Sequence, residues 1–465
     1  MKGCRKLIIF CLFLSLGIII GIIDPYVLPI YLTLLPFHGL MLMKSIKTRN
    51  LPLIIFCIFT FISFGVGSVC FFLNRANSNS VGFGAIGSFD FSYERLYSAY
   101  SYMAVFMMTL LIVAFMFKNK KHTNFLLSFI KEQYSVISRQ SGSWSLAPLI
   151  ILVLLFTMIS VWMYNNHMGM IGLHQTALPY HLTGVLFYSR RYAFPLILIW
   201  IFIKTKSKDA ATVILVLYSL LNGVLATSKS AALIILIPII YLNYMRNKKL
   251  LFYICFTAAI IIYSIIGDIR QIIYLSDADV SISELASALG NLSFDRNGFL
   301  LSLLNNITGR FYGLQSSVLG DQYYNLHFKD LVSYYSGTKM LDIMPDYVET
   351  LFGMELPEDK AYGVGLGISG TMQLLSCHNY IYTMIQGVII SVVFCVQNNC
   401  IQSIFLNNNK LIYKYIAILV LLYFFIDFYN GSSFATTYFA TIILLMIRYL
   451  LCNVGRKKSV VLQNA

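Results

Sequence analysis

The sequence predicts an all-α polytopic membrane protein with about twelve transmembrane helices, and three observations favour this fold class. The 465 residues are 58% hydrophobic and only 11% charged, with a mean hydropathy of +0.74. Apolar residues occur in separate runs of about 20, the length that crosses the hydrocarbon core of a bilayer as a helix. Basic residues collect between alternate runs. A soluble protein is excluded, because domains in water carry about 25% charged residues.

Each span is placed on an apolar run between charged breaks, because a helix satisfies its own backbone polar groups in lipid. The predicted spans are 7–23, 26–43, 51–73, 98–117, 146–164, 192–203, 211–227, 230–245, 250–266, 378–397, 411–427 and 434–452. The sixth is short, and a tight hairpin around Lys229 separates the seventh from the eighth. The first run follows a basic N-terminus, as in a signal peptide. It leads into Asp24-Pro25 without a small-residue cleavage site, so we interpret it as an uncleaved span.

The distribution of basic residues predicts the orientation of the chain, since Lys and Arg collect in cytoplasmic loops. Most of the 34 Lys and Arg residues fall in the N-terminus and in alternate loops, at 2–6, 44–49, 118–139, 204–208, 246–249, 410–414 and 448–458. Both termini are therefore predicted to be cytoplasmic. The net charge of +15 then mostly reflects topology, and nucleic acid is excluded as a partner.

One long segment, 267–377, has no apolar run of membrane length and is predicted to lie outside the membrane. It holds thirteen of the 19 Asp and Glu residues, yet Leu, Tyr, Phe and Ile are plentiful, which favours order over disorder. We expect it to fold into several short helices that cap the membrane part. The chain is thus divided into nine spans at 1–266, the large external loop at 267–377, and three spans with a basic tail at 378–465.

Motifs for metals, disulfides and nucleotides are weak or absent in the sequence. The nine Cys residues lie mostly in spans or on the inner side, without the paired spacing of a disulfide framework or a zinc site. Asp277 and Asp279 have the spacing of a metal-binding pair, but such spacing arises easily by chance in an acidic loop. The glycine-rich stretch 363–370 follows no strand and is interpreted as a flexible re-entry into the tenth span. No Walker A loop occurs, which disfavours ATP-driven transport by this chain alone.

Five external basic residues are candidates for a binding site, because the charge rule makes bases rare on that side. They are Arg190, Arg191, Lys229, Arg270 and Arg310. Arginine suits a diphosphate, since its planar fork donates two hydrogen bonds and stays charged at physiological pH. The alternative for any single residue is a side chain that extends to lipid headgroups. Taken together, the five favour an anion site.

Two external histidines are candidates for a proton acceptor, because imidazole titrates near neutral pH. His327 in the large loop is the first choice, and His378 at the start of the tenth span is the second. A hydrogen-bonded structural role is an equally good interpretation of either histidine.

Four local motifs accompany this architecture. Segment 190–195 (RRYAFP) brings arginine into a span, 227–230 (TSKS) is a short hairpin with a base, 309–314 (GRFYGL) joins arginine to aromatics, and 342–345 (DIMP) forms an Ile-Pro turn. Together with the spans, the cytoplasmic termini and the late external loop, they resemble the Wzy-type O-antigen polymerases. The resemblance extends over nearly the whole chain but lies mainly in architecture.

This sequence departs from the family pattern at two positions. Lys229 stands where arginine is commoner in the hairpin motif. An Arg-x10-Gly spacing known from some members is not met at Arg310, because Gly320 falls one position short. Roles that depend on that spacing are therefore not transferred.

The resemblance implies a metal-independent, GT-C-like glycosyltransferase of the bacterial inner membrane, with its large loop in the periplasm. Its substrates would be undecaprenyl-diphosphate-linked oligosaccharides, and its partners membrane lipid and a polysaccharide chain-length regulator, with no cofactor. The catalytic residues would be His327, Arg310 and Arg191. The diphosphate would be bound by Arg190, Arg191, Lys229, Arg270 and Arg310.

Two other functions fit parts of the same pattern. An O-antigen ligase, which transfers finished glycan to a lipid core, shares the lipid-linked sugar architecture. A flippase or another secondary transporter would be expected to have short loops and ionisable residues at mid-membrane. The long external loop and the scarcity of mid-span charges rank the transporter third.

Overall fold

In the part of the chain that it describes, the structure, a computed structural model, consists of helices, their connections and one short two-stranded ribbon. It describes residues 15–63 (without 16, 20, 23, 49 and 62), 82–88 (without 84 and 85), 92–116, 143–168 (without 167), 178–179, 182–275, 327–336, 367–407, 417, 420–421, 434 and 437–450. Within these ranges, some side chains are not described. The helices are α1 (Leu28–Thr48), α2 (Leu51–Thr60), α3 (Tyr93–Met116), α4 (Ala147–Asn165), α5 (Leu182–Tyr188), α6 (Phe194–Lys204), α7 (Lys208–Leu225), α8 (Lys229–Met245), α9 (Lys249–Leu275), α10 (Phe328–Ser336), α11 (Gly367–Ser376), α12 (Tyr380–Asn407) and α13 (Thr437–Leu450). The ribbon pairs β1 (Gly82–Phe83) antiparallel with β2 (Ile86–Ser88).

Five helical segments of the described residues are long and apolar enough to cross a membrane. They are Tyr93–Val113, Ala147–Asn165, Leu182–Lys204, Lys208–Leu225 and Tyr380–Phe405, with shorter apolar helices at Leu51–Thr60, Ala231–Tyr244, Lys249–Tyr263 and Thr437–Leu450. The predicted class of an all-α, multi-pass membrane protein is therefore confirmed. A total of twelve spans and a GT-C-like fold stay predictions, since the predicted spans 7–23 and 411–427 lie mostly outside the described residues.

The chain divides into two compact units. The first comprises Met1–Leu126, Ile307–Glu355 and Gly365–Ala465, and the second comprises Leu127–Asn306 and Leu356–Val364. The division into parts at 1–266, 267–377 and 378–465 stays a prediction.

In the first unit, α12 packs against both α2 and α3. The ring of Phe56 on α2 lies 6.3 Å from that of Phe106 and 5.5 Å from that of Phe394, between centroids. Asn50 caps α2 by accepting the Leu53 N–H at 3.1 Å. The backbone N–H of Leu51, the first residue of the same helix, donates to Asn398 Oδ1 at 3.2 Å. A helix start is thus satisfied inside the protein, as burial requires.

The second unit is a bundle in which α7 and α8 contact each other and α9, and α4 and α6 contact α7. Tight turns join α6 to α7 at 205–207, α7 to α8 at 226–228, and α8 to α9 at 246–248. The apolar core of this bundle is formed by Tyr164, Val224, Leu225, Ala232, Leu236, Ala259, Ile262, Ile266 and Ile269. Short connections make neighbouring helices antiparallel, so alternate helix ends share one end of the bundle.

The sixth span differs from its prediction. Sequence reasoning begins it at 192, after the charged pair Arg190-Arg191, whereas the helical segment begins at Leu182 and runs to Lys204. A π-helical turn at Ser189–Ala193 carries both arginines between α5 and α6. The rule that ends a span at a charge fails here because the protein itself surrounds the charge.

The glycine-rich stretch also differs from its prediction. A flexible re-entry was expected at 363–370; residues 363–366 lie outside the described part of the chain, but α11 begins at Gly367. Residues 371–376 of that helix are buried, and α11 contacts α3, α10 and α12. Tertiary packing of this kind outweighs the low helix propensity of glycine.

A close contact between α3 and α12 gives a prediction about stability. A Cβ atom at Gly387 would lie 2.9 Å from Thr109 Cβ and 3.4 Å from the Phe106 carbonyl oxygen, whereas one at Gly184 would meet nothing within 4 Å. We expect Gly387→Ala to lower the free energy of unfolding by about 1–3 kcal/mol, because the helices must separate. The matched change Gly184→Ala should be neutral or stabilising. Thermal unfolding in detergent compares them, and equal melting temperatures would contradict the prediction.

Candidate functional site

Arg190 and Arg191 lie in the π-helical turn of the second unit. A π turn widens the backbone by one residue and occurs frequently at functional sites. The side chain of Arg190 is 2% exposed, which makes it the largest of the fully buried side chains described. A buried charge within a membrane span is costly and is therefore a candidate for function.

The neighbours of the two arginines come from different helices. The Arg190 guanidinium lies near the phenol of Tyr218 on α7, which in turn lies near the Ser160 hydroxyl on α4. Arg191 is half-buried, and its Cζ lies 5.6 Å from the centroid of the Phe187 ring. Such a cation–π contact stabilises the charged guanidinium inside the protein.

Lys229 begins α8 directly after a strained turn. The end of α7 is closed by two bonds, from Ser228 N–H to the Gly223 carbonyl at 3.0 Å and from Thr227 N–H to the Val224 carbonyl at 2.9 Å. This pattern usually places glycine where Thr227 stands, with a φ of 49°. A β-branched residue in this conformation is strained, and such strain gathers at functional sites.

The ammonium group of Lys229 is directed at an aromatic ring. Its Nζ lies 4.2 Å from the centroid of Tyr263 on α9, and the residue is 7% exposed. Contact with this ring and burial hold the positive charge of Lys229 inside the bundle at the first turn of α8. The positive end of the helix dipole lies at the same turn, so both features favour binding of an anion there.

The basic candidates of the second unit lie toward one end of their helices. At 1.5 Å per residue, Arg190 is about 20 Å from Lys204 along its span, and Lys229 is about 24 Å from Met245. Arg270 lies on α9, about 32 Å from Lys249. With a hydrocarbon core of about 30 Å, all are placed in the half of the bundle that the charge pattern predicts to be external.

The structure therefore brings four candidates onto helices of the second unit that contact one another, and the side chain of the fourth, Arg270 on α9, lies outside the described residues. Arg190 and Arg191 precede α6, which contacts α7 and α8, and Lys229 begins α8. Arg310 lies outside the described residues, as do Asp277 and Asp279. The placement of Arg310 in the site stays a prediction.

Sequence reasoning missed the uncharged members of this site. Tyr218, Asn222 and Ser160 are buried polar residues on apolar helices. Asn222 donates through Nδ2 to the Ala231 carbonyl at 3.2 Å, and Ser219 donates through Oγ to the Ala232 carbonyl at 2.8 Å. The signal was the spacing of Tyr218, Ser219 and Asn222, which places polar groups on neighbouring positions of one helix face.

The two candidate histidines belong to the first unit. His327 is exposed and precedes α10, where its backbone N–H donates to Asp330 Oδ2 at 2.8 Å. His378 is exposed with a φ of 53°, and its ring lies 6.1 Å from that of Tyr102, between centroids. Both stay candidates for a proton acceptor.

Cys377 lies beside His378 but does not suit nucleophilic chemistry. Burial raises the pKa of the Cys377 thiol, and the nearby Asp330 carboxylate raises this pKa further. A thiol becomes a good nucleophile when its pKa is lowered, so the environment here acts in the opposite direction. Among the described residues, no group of three His, Cys, Asp or Glu side chains is placed to hold a metal ion.

Comparison with known proteins adds no relative. No family model, no curated protein and no solved structure matches this chain. The resemblance to the Wzy-type polymerases consequently stays a prediction from the sequence.

The strained turn before Lys229 gives a second prediction. Thr227→Gly should raise the free energy of unfolding by up to about 1 kcal/mol, because glycine adopts a positive φ without steric cost. Asn247→Gly is the control, since asparagine tolerates its φ of 60° and little change is expected. Chemical unfolding measures both, and a loss of stability in the Thr227 variant would contradict the account of strain.

Proposed function

We propose that this chain polymerises lipid-linked oligosaccharide repeat units by glycosyl transfer from polyprenyl diphosphate at the external face of the bacterial inner membrane. The observation that carries the proposal is the set of buried or half-buried cations Arg190, Arg191 and Lys229 in one helical bundle. A surface polysaccharide such as O-antigen would be the product.

The burial of these cations supports a binding site over simple anchoring in the membrane. A side chain that extends to lipid headgroups keeps its charge in water. Arg190 and Lys229 instead lie against Tyr218 and Tyr263 inside the bundle. Charges held in this way are preorganised for an anion that forms during a reaction.

The chemistry of the transfer matches this charge. A hydroxyl at the non-reducing end of one glycan attacks the anomeric carbon of the other, and the bond from that carbon to the diphosphate oxygen breaks. Negative charge develops on the departing polyprenyl diphosphate, where arginine donors stabilise it. The hydroxyl proton passes to a base, for which His327 is the first candidate and His378 the second.

A transporter of lipid-linked oligosaccharide, which the sequence ranks third, stays an alternative, and one observation favours it. Arg190 lies within the spanning segment Leu182–Lys204, and charges inside the membrane are typical of transport pathways. The ligase alternative shares the chemistry of the polymerase but uses a different acceptor.

Deletion of the gene, followed by electrophoresis of the surface glycan, separates the three functions. Loss of a polymerase leaves a lipid core capped by one repeat unit, whereas loss of a ligase leaves an uncapped core. Loss of a flippase leaves lipid-linked repeat units on the cytoplasmic side. A single capped repeat, restored to long chains by the wild-type gene, supports the proposal, and either other pattern contradicts it.

A further inference from the structure

The opposite end of the second unit carries a dense group of bases around one carboxylate. This group, the basic rim, consists of Lys204, Lys206, Lys208, Arg246, Lys248 and Lys249, with Asp209 among them. The turns 205–207 and 246–248 bring together the end of α6, the start of α7, the end of α8 and the start of α9. The charge pattern predicts this end to be cytoplasmic.

Two members of the rim are paired with its carboxylate, Asp209. Arg246 Nη2 lies 2.6 Å from Asp209 Oδ1, and Lys248 Nζ lies 3.3 Å from Asp209 Oδ2. Arg246 Nη1 also donates to Asn243 Oδ1 at 3.0 Å, and the Arg246 side chain is only 16% exposed. A base that served topology alone would need no such arrangement, because the charge rule asks only for location in a loop.

The rim has more positive charge than its own carboxylate can offset. Asp209 is shared between Arg246 and Lys248, and the ammonium of Lys208 lies close enough to Arg246 for the two cations to repel each other. Lys206 and Lys249 are exposed. An anion bound at the rim would offset this repulsion, whereas another cation would add to it.

Aromatic side chains place the rim at the depth of lipid headgroups. Two backbone hydrogen bonds hold Trp144 beside the rim. The Trp144 backbone N–H donates to the Lys204 carbonyl at 3.1 Å, and the Trp144 backbone carbonyl accepts the Lys206 N–H at 2.9 Å. The ring of Trp144 packs edge-on against Trp200 at 5.3 Å between centroids. Tyr244 and Tyr253 are each 62% exposed near the turn 246–248. Trp and Tyr in such positions mark the boundary between hydrocarbon and headgroups.

We propose that the basic rim is a binding site for the headgroup of an anionic phospholipid. The phosphate and the glycerol of such a lipid lie at the depth that Trp144 and Tyr244 define, and its charge complements the rim. Clusters of bases between helix ends on the cytoplasmic side bind anionic headgroups in this way. The site would stabilise the second unit and does not depend on the proposed function.

Native mass spectrometry of the full-length protein in detergent tests this site. The protein is titrated with phosphatidylglycerol or with phosphatidylcholine, and the bound lipid is counted. Wild-type protein should prefer phosphatidylglycerol, and the preference should fall in high salt. The triple change Lys206→Gln, Lys248→Gln and Lys249→Gln should weaken phosphatidylglycerol binding by about fivefold per base removed, with little effect on phosphatidylcholine.

A control variant removes the same number of charges elsewhere. Arg456→Gln, Lys457→Gln and Lys458→Gln lie in the predicted cytoplasmic tail and should leave the preference unchanged. Equal losses in the two triple variants would overturn the proposal, as would a wild-type preference retained by the rim variant. Displacement of the lipid by inorganic phosphate would also overturn it, because the rim would then be a site for free anions.

Discussion

Replacing Arg190 by methionine is expected to lower the rate of polymer formation by about a hundredfold to a thousandfold, the usual effect of removing one preorganised donor to a developing anion. The volume of the side chain is nearly retained, and the uncharged group suits a buried position that is 2% exposed. The loss should therefore be one of chemistry and not of folding. Chain-length analysis of surface glycan measures the loss of polymer formation, and thermal unfolding of the purified variant shows whether its stability is retained.

Arg190→Lys separates charge from geometry at the same position. Lysine keeps the positive charge but lacks the planar fork, so we expect activity between those of wild type and the methionine variant. Arg95→Met is the control and should leave polymer formation unchanged, because Arg95 lies on α3 of the first unit and is not one of the candidate site residues. Long chains of wild-type abundance in Arg190→Met would exclude this residue from the site.

Arg191→Ala and Arg310→Ala are each expected to abolish polymer formation while leaving the lipid core capped by a single repeat unit. Arg191 is half-buried against Phe187, and its guanidinium is the planar group that pairs with the oxygens of a diphosphate. Arg310 is included because its motif resembles that of the polymerases. Lys329→Ala removes an exposed base from the same large loop and should leave the glycan profile unchanged. Normal long chains in both arginine variants would contradict their assignment as catalytic residues.

The membrane class could be predicted from sequence, but the boundary of the sixth span could not. Apolar runs and the pattern of bases predict helices such as α4 and α12 because lipid imposes length and charge rules on each segment separately. Arg190 breaks these rules, since Tyr218 from another helix replaces lipid as its neighbour. A local pattern does not contain that contact.

The charged residues of the candidate site could be predicted from the sequence, but its uncharged residues could not. Arg190, Arg191 and Lys229 are conspicuous because bases are rare on the predicted external side. Tyr218 and Tyr263 resemble any aromatic of an apolar helix until the packing of α7 and α9 places them beside a cation. Their role depends on tertiary contacts, which hydropathy does not encode.

The central claim is that the cations of the second unit stabilise a diphosphate leaving group. Purified protein reconstituted in liposomes without an ion gradient, and supplied with polyprenyl-diphosphate-linked repeat units, measures this most directly. The account predicts longer lipid-linked glycans together with release of one polyprenyl diphosphate for each repeat joined, both lost in Arg190→Met. Movement of unchanged substrate across the membrane, with no glycan extension and no release of polyprenyl diphosphate, would contradict it.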